Sequence, residues 1–115
     1  QSVIDSGQAF NVIYAENDDM AKGAVAALDK ANISHGVGKD VIVMGFDCNK
    51  WALEELLNQN WNYDGQCNPY QASYIEDVIK KLEAGETLDE KTIIMDEKGF
   101  DATTITQDDV DQFGI

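Results

Sequence analysis

The sequence predicts an α/β fold, three layers built on a mostly parallel sheet. Short β-branched apolar runs alternate with stretches of helical apolar spacing, in the order strand, helix, strand, helix, strand, helix, strand. That alternation is the pattern of parallel strands joined by helical crossovers. The Asp40–Phe46 segment, DVIVMGF, holds four apolar residues in succession, as a strand covered on both faces requires. Helix-capping residue types, Asn17-Asp18-Asp19 and Asp47-Cys48-Asn49, follow directly on two of the apolar runs, which puts strand-to-helix turns there.

Taken in order, Asn11–Ala15 (NVIYA) reads as the first strand. Met20, Ala24, Ala27, Leu28 and Ala31 then recur at helical spacing behind the acidic cap, where negative charge suits the helix dipole. Asn32–Lys39 is a Gly-containing loop before the strand in Asp40–Phe46. Trp51, Leu53, Leu56 and Leu57 form the stripe of a second helix, and a weak strand is expected near Asn62–Gln66. Pro69 suits the first position of a third helix, whose stripe is Tyr74, Ile75, Val78, Ile79 and Leu82, with Gly85 as its stop. Thr92–Met95 and Thr103–Ile105 read as further strands, and the acidic tail from Gln107 to Ile115 has room for one helical turn. No internal repeat or low-complexity stretch is visible.

The chain has 115 residues, 43 % hydrophobic and 26 % charged, which is ordinary globular composition. Its 8 basic residues are all Lys and stand against 22 acidic ones, for a net charge of −14. Such acidity argues against nucleic acid and anionic membrane surfaces as partners, since phosphate binding needs cations. The absence of Arg removes the bidentate clamp for carboxylate and phosphate ligands. No apolar run reaches the ~18 residues of a membrane-spanning helix. Two cysteines, Cys48 and Cys67, lack the spacing of a zinc or redox motif. Neither an initiator Met nor a signal peptide opens the sequence, so the chain is expected to start inside a longer one, as a mature or cleaved piece.

Ligands of open α/β sheets bind at the carboxyl ends of the strands. Asn17-Asp18, Asp47 and Gln66-Cys67-Asn68 fall there, on consecutive units. Amide groups that donate and accept, beside carboxylates that accept, suit the hydroxyls of a neutral polyol. The same residues also serve simply as helix caps and turn formers, and pattern alone leaves both readings open. Asn60, Asn62, Asp64 and Gly65 imitate the start of a calcium loop, but Gln71 stands where the bidentate Glu belongs, so no metal is expected. His35 reads as a solvated loop residue, and Trp51 as core rather than a sugar-stacking platform. No nucleophile, base and orienting group can be assembled, and no cofactor is implied.

Asn11–Ala27 (NVIYAENDDMAKGAVAA) resembles the strand-turn-helix of ribose-type periplasmic sugar-binding proteins; DVIVMGFD at Asp40–Asp47 resembles their next strand and its binding-site Asp, and QCNPY at Gln66–Tyr70 their third hinge-region strand. The galactofuranose-binding branch, often ECNP where this chain has QCNP, is the nearest flavour. The resemblance implies the carboxy-terminal portion of a type I periplasmic-binding-protein fold. It also implies a non-catalytic, extracytoplasmic subunit of an ABC importer, periplasmic or surface-anchored as a lipoprotein, whose lobes close over a pentose or hexose and dock on permease subunits. Asn17 and Asp47 become sugar contacts and Cys67 a third, often Gln in the family, with Asp18 and Asn68 as weaker candidates. Cys48 takes a place where Gly is common.

Family members are considerably longer, so the resemblance divides the chain. Residues 1–68 would be part of the carboxy-terminal lobe, 69–98 would return to the amino-terminal lobe, and 99–115 would be the hinge return and tail. In isolation a single compact unit over 1–115 is expected. With the amino-terminal part missing, the stripe on the helix after Pro69 is expected to be covered by the chain's own sheet or by self-association. An oxidising compartment makes Cys48 and Cys67 a candidate disulfide. Two further readings stay open: the effector-binding core of a lactose-repressor-type regulator, and a small α/β enzyme using Cys67.

Overall fold

In the computed structural model, which describes residues 1–115 throughout, the most hydrophobic segment lies inside a four-stranded sheet. The strands are β1 (Val12–Tyr14), β2 (Ile42–Asp47), β3 (Tyr63–Gln66) and β4 (Gly99–Asp101), side by side in chain order. The first three run parallel, with Tyr14 opposite Met44 and Met44 opposite Tyr63; β4 closes the edge antiparallel, with Tyr63 opposite Asp101. The α/β class and the mostly parallel sheet are thus as the sequence predicts.

The chain divides into two compact units, residues 1–67 with 98–115, and residues 68–97, where one was expected. In the sheet unit, α1 (Ser2–Asp5) precedes β1, α2 (Asp18–Lys30) joins β1 to β2, α3 (Lys50–Leu57) joins β2 to β3, and α5 (Gln107–Phe113) follows β4. Leu28, Val43, Leu53, Leu56, Trp61 and Val110 are fully buried between helices and sheet. The indole of Trp61, not of Trp51, is the buried one; Trp51 is half-buried and meets it edge-on at 5.8 Å. Met20, placed on the apolar stripe by spacing, is exposed, and Ala21 and Leu28 carry the buried side of α2.

Side chains alternate along strands, so Val12, Tyr14 and Ile42 share the other sheet face, which is open to solvent, and β2 is covered on one face where its apolar run predicts cover on both. Tyr14 and Phe46 pack together there at 5.3 Å.

Two expected strands are absent, each for a local reason. Thr103–Ile105 lies in a turn: Asp101 Oδ1 accepts from the Thr103 amide at 2.8 Å and the Asp101 carbonyl from the Ile105 amide at 2.9 Å. The strand forms instead just before it, and the tail makes a full helix, α5. Its capping box has Thr106 Oγ1 accepting from the Asp109 amide at 3.2 Å and Asp109 Oδ2 from the Thr106 amide at 3.0 Å.

The second unit holds α4 (Ala72–Glu83) followed by extended chain. Thr92–Met95 has no strand to pair with inside that unit, and a lone strand leaves its backbone groups unpaired. Pro69 lies outside the helix; Asn68 Oδ1 accepts from the Tyr70 amide at 2.8 Å, a local turn that delays the start to Ala72. Within this unit Ile93 and Met95 of the extended chain lie beside Tyr74, Ile75 and Ile79, and Tyr74, Ile75, Ile79 and Leu82 stay exposed on α4.

Candidate functional site

Three parallel strands end at the same edge of the sheet, and the sequence puts polar residues at each end. Asn17 follows β1 with extended backbone and caps α2, its Oδ1 accepting from the Met20 amide at 2.8 Å. Only the amide oxygen is used in that cap. Asp47 ends β2 in register with Gln66 on β3, and Cys67 follows Gln66 as an exposed thiol. Asn17, Asp47 and Cys67 are therefore brought to one end of neighbouring strands, which stand ~4.8 Å apart in a sheet. Asn68 belongs to the other unit.

The backbone at the end of β2 is unusual. Asp47 has φ 123° and Cys48 has φ 61°, two consecutive non-glycine residues in the left-handed region. Each such residue costs ~1–3 kcal/mol and persists only where its surroundings hold it. Cys48 thus adopts a conformation that Gly, common there in the resembled family, takes without strain. It is fully buried, Cys67 is exposed, and no disulfide joins them, so the candidate pairing is corrected.

What holds the turn is a buried polar cluster that spacing alone does not reveal. Asp18 and Asp64 are both fully buried. Asp18 Oδ2 accepts from the backbone amide of Asn49 at 2.8 Å and from its side-chain amide at 3.0 Å. Asp64 receives a backbone hydrogen bond from Cys48, and the Cys48 thiol lies 4.0 Å from Asp64 Oδ1. On the outer side, the Cys48 carbonyl accepts from the Ile115 amide at 3.1 Å, and the Ile115 carbonyl from the Lys50 amide at 3.0 Å. Asp18 is thus occupied inside the protein, and its place among the ligand candidates is corrected: no part of it reaches the surface.

Burial pushes the Asp64 carboxyl up to about 9, reinforced by the nearby charge of Asp18. Burial also raises Asp18, opposed by the hydrogen bonds it accepts from Asn49. Gly45 makes room for the pair. It is the register partner of Asp64, and a Cβ on it would stand 2.6 Å from Asp18 Oδ1. The sequence marks Asn49 only as a helix cap and Asp64 only as a piece of a calcium loop, and gives Gly45 no role. The segment Tyr63–Gln66 is a strand whose Asp64 faces inward, not a cation loop. The available signal was a Gly within the most hydrophobic strand of the chain.

His35 also departs from expectation. Its ring is largely buried, with Nδ1 2.9 Å from the Asn60 carbonyl and Nε2 3.0 Å from Asp29 Oδ1. It ties the end of α2 to the loop after α3, beside a groove lined by Lys22, Trp51 and Glu55. Lys22 Nζ sits 4.4 Å over the Trp51 ring, so that face of the indole is already covered.

No family model matches the chain. It is 34 % identical over 92 residues to the fructose import binding protein FruE of Bifidobacterium longum, covering 80 % of this chain and 27 % of that protein. It is 32 % identical over 59 residues to the ribose import binding protein RbsB of Bacillus subtilis, covering 51 % of this chain and 17 % of that one. Among solved structures, a Mycobacterium smegmatis protein in complex with β-D-fucofuranose superposes with TM-score 0.74 at 28 % identity, over 89 % of this chain and 33 % of that one. The fold of a galactofuranose binding protein matches at TM-score 0.80 and 21 % identity, over 97 % of this chain and 37 % of that one. The chain therefore spans about a quarter of the length of FruE, and over the part it spans it is a homologue of the ribose- and fructose-type sugar-import binding proteins.

Proposed function

We propose that this chain is part of the substrate-binding component of an ABC-type sugar importer and holds a neutral monosaccharide by hydrogen bonds without transforming it. The observation that carries the reading is the convergence of Asn17, Asp47 and Cys67 at the carboxyl ends of three adjacent parallel strands. That is where open α/β sheets take their ligands. Asp47 accepts from sugar hydroxyls, the Asn17 amide donates, and Cys67 flanks the third strand. Asn68 is retained as a secondary contact. The strained Asp47–Cys48 turn supports the reading, because backbone strain of this kind concentrates at ligand clamps.

A sugar held this way needs a second lobe. Residues 1–68 are proposed as part of the carboxy-terminal lobe, 69–98 as a return to the amino-terminal lobe, and 99–115 as the hinge return. The separate compactness of 68–97 supports that division. The location that goes with it is extracytoplasmic, and the protein partners are the permease subunits. No helix is long and apolar enough to cross a membrane.

The test is a thermal-shift screen, against pentoses and hexoses, of a polypeptide that joins this chain to the lobe it lacks. A sugar at ~100 times its Kd stabilises by ~2.7 kcal/mol through mass action. One or a few sugars are expected to raise the melting temperature, with calorimetry giving the affinity. A folded two-lobe protein that no sugar stabilises would overturn the reading.

A further inference from the structure

We propose that Asp18 and Asp64 act as one proton-sharing pair, and that this pair positions the Asp47–Cys48 turn at the end of β2. The geometry states the need for a proton. Asp18 Oδ1 and Asp64 Oδ2 are buried, and neither has a hydrogen-bond partner. The remaining oxygen of each is engaged, Asp18 Oδ2 by Asn49 and Asp64 Oδ1 beside the Cys48 thiol. Two ionised carboxylates packed together over Gly45 would repel without compensation. A single proton resolves this: Asp64 Oδ2–H donates to Asp18 Oδ1, and every oxygen then has a partner.

The neighbouring charges agree. Asp47 is the charged group that acts on both carboxyls, and it favours keeping the proton. The lysines of the adjoining helices are turned elsewhere, Lys22 Nζ over the Trp51 ring at 4.4 Å and Lys50 Nζ onto Asp111 at 3.1 Å. Burial raises both carboxyls in the same direction.

The pair acts through what it holds. Asp64 takes the backbone amide of Cys48, and Asp18 takes the backbone and side-chain amides of Asn49. These are the residues directly after Asp47, so the left-handed backbone of the turn is fastened from beneath by the protonated pair. Asp18 and Asp64 are positioning residues, out of reach of any ligand. That the turn so positioned contacts a sugar rests on the reading above; the pairing and its hold on the turn do not.

The experiment uses the 115-residue chain without sugar. Infrared spectra at neutral pH should show the carbonyl stretch of a protonated carboxylic acid, lost in Asp64→Asn. The amide resonances of Cys48 and Asn49 should titrate together at alkaline pH in the unaltered chain and stay fixed in Asp64→Asn. The unfolding constant of the unaltered chain should gain one proton of pH dependence over Asp64→Asn, roughly tenfold per pH unit between the ordinary carboxylate range and the alkaline midpoint. No protonated-carboxyl band at neutral pH would overturn the proposal, as would amides of Cys48 and Asn49 that do not titrate with it. Both measurements are made on the unaltered chain, so they decide the matter even where Asp64→Asn does not fold.

Discussion

Asn49 binds Asp18 twice on one oxygen, through its backbone amide at 2.8 Å and its side-chain amide at 3.0 Å. The side-chain bond is the removable one. Asn49→Ala leaves the backbone bond but strips a donor from a buried carboxyl, a loss of ~1–3 kcal/mol. Chemical denaturation should show that decrease with the m-value unchanged. Asn49→Asp should be worse than Ala, since it adds a third carboxylate to the cluster.

Gly45 tests the packing around the same pair. A Cβ there would lie 2.6 Å from Asp18 Oδ1 and 2.9 Å from Trp61 Cζ3. Neither neighbour is a flexible chain end: one is fastened by Asn49 and the other is a buried indole. Gly45→Ala should therefore destabilise by ~1–3 kcal/mol through overpacking, read as a lowered denaturation midpoint. Gly23, where an added Cβ meets nothing within 4 Å, is the control. Gly23→Ala on α2 should stabilise by up to ~1 kcal/mol.

This contrast between two glycines marks what was legible in the sequence. Parallel strands, helices and the polar residues at the strand ends follow from apolar spacing, because buried strands and amphipathic helices each impose a period. The Asp18–Asp64 pair does not, because its members lie far apart in the chain and meet only across β2. Asp18 reads as a helix cap, and Asp64 as a loop ligand, until the register places Gly45 between them. The strand at Thr92–Met95 failed for the opposite reason: β-propensity was present, but no partner strand was.

Asp47 carries the binding prediction. In the two-lobe polypeptide, Asp47→Ala should weaken sugar binding by ~1.5–3 kcal/mol, the scale of hydrogen bonds to a charged group. Calorimetry at fixed pH checks it. An affinity equal to that of the unaltered protein would remove Asp47 from the site while leaving the Asp18–Asp64 pair untouched.

Stability should fall on both sides of mildly acidic pH. Asp101 and Asp109 are held below the ordinary carboxylate value by hydrogen bonds from Thr103 and Thr106, and Asp111 by those from Lys50 and Gln107. A lowered folded-state pKa stabilises above the unfolded value, and that contribution is lost as pH drops through the folded one. Asp64 has the opposite sign. Raised from 3.8 to about 9, it holds a proton that the unfolded chain gives up, so stability is lost as pH climbs across that interval. Thermal unfolding as a function of pH should show both limbs. Thr106→Ala should lower stability by ~0.5–2 kcal/mol at neutral pH, the cost of an N-cap, and flatten the acid limb.

The stripe on α4 predicts behaviour at high concentration. Ile75 and Ile79 are 55 % and 49 % exposed, with Tyr74 and Leu82 beside them on the same helix. Each apolar side chain moved from water into contact contributes ~1.5–3 kcal/mol, so an uncovered row of four favours pairing with a second copy. Sedimentation velocity should show concentration-dependent association of the 115-residue chain. Ile75→Glu combined with Ile79→Glu should suppress it, because burying the new carboxylates opposes contact. The same double change should leave the unfolding of the sheet unit within ~0.5 kcal/mol, as for other exposed substitutions. Val12 and Ile42 on the open sheet face provide the comparison. If Val12→Thr with Ile42→Thr abolishes association and the α4 changes do not, the sheet face is the contact and the α4 prediction is wrong.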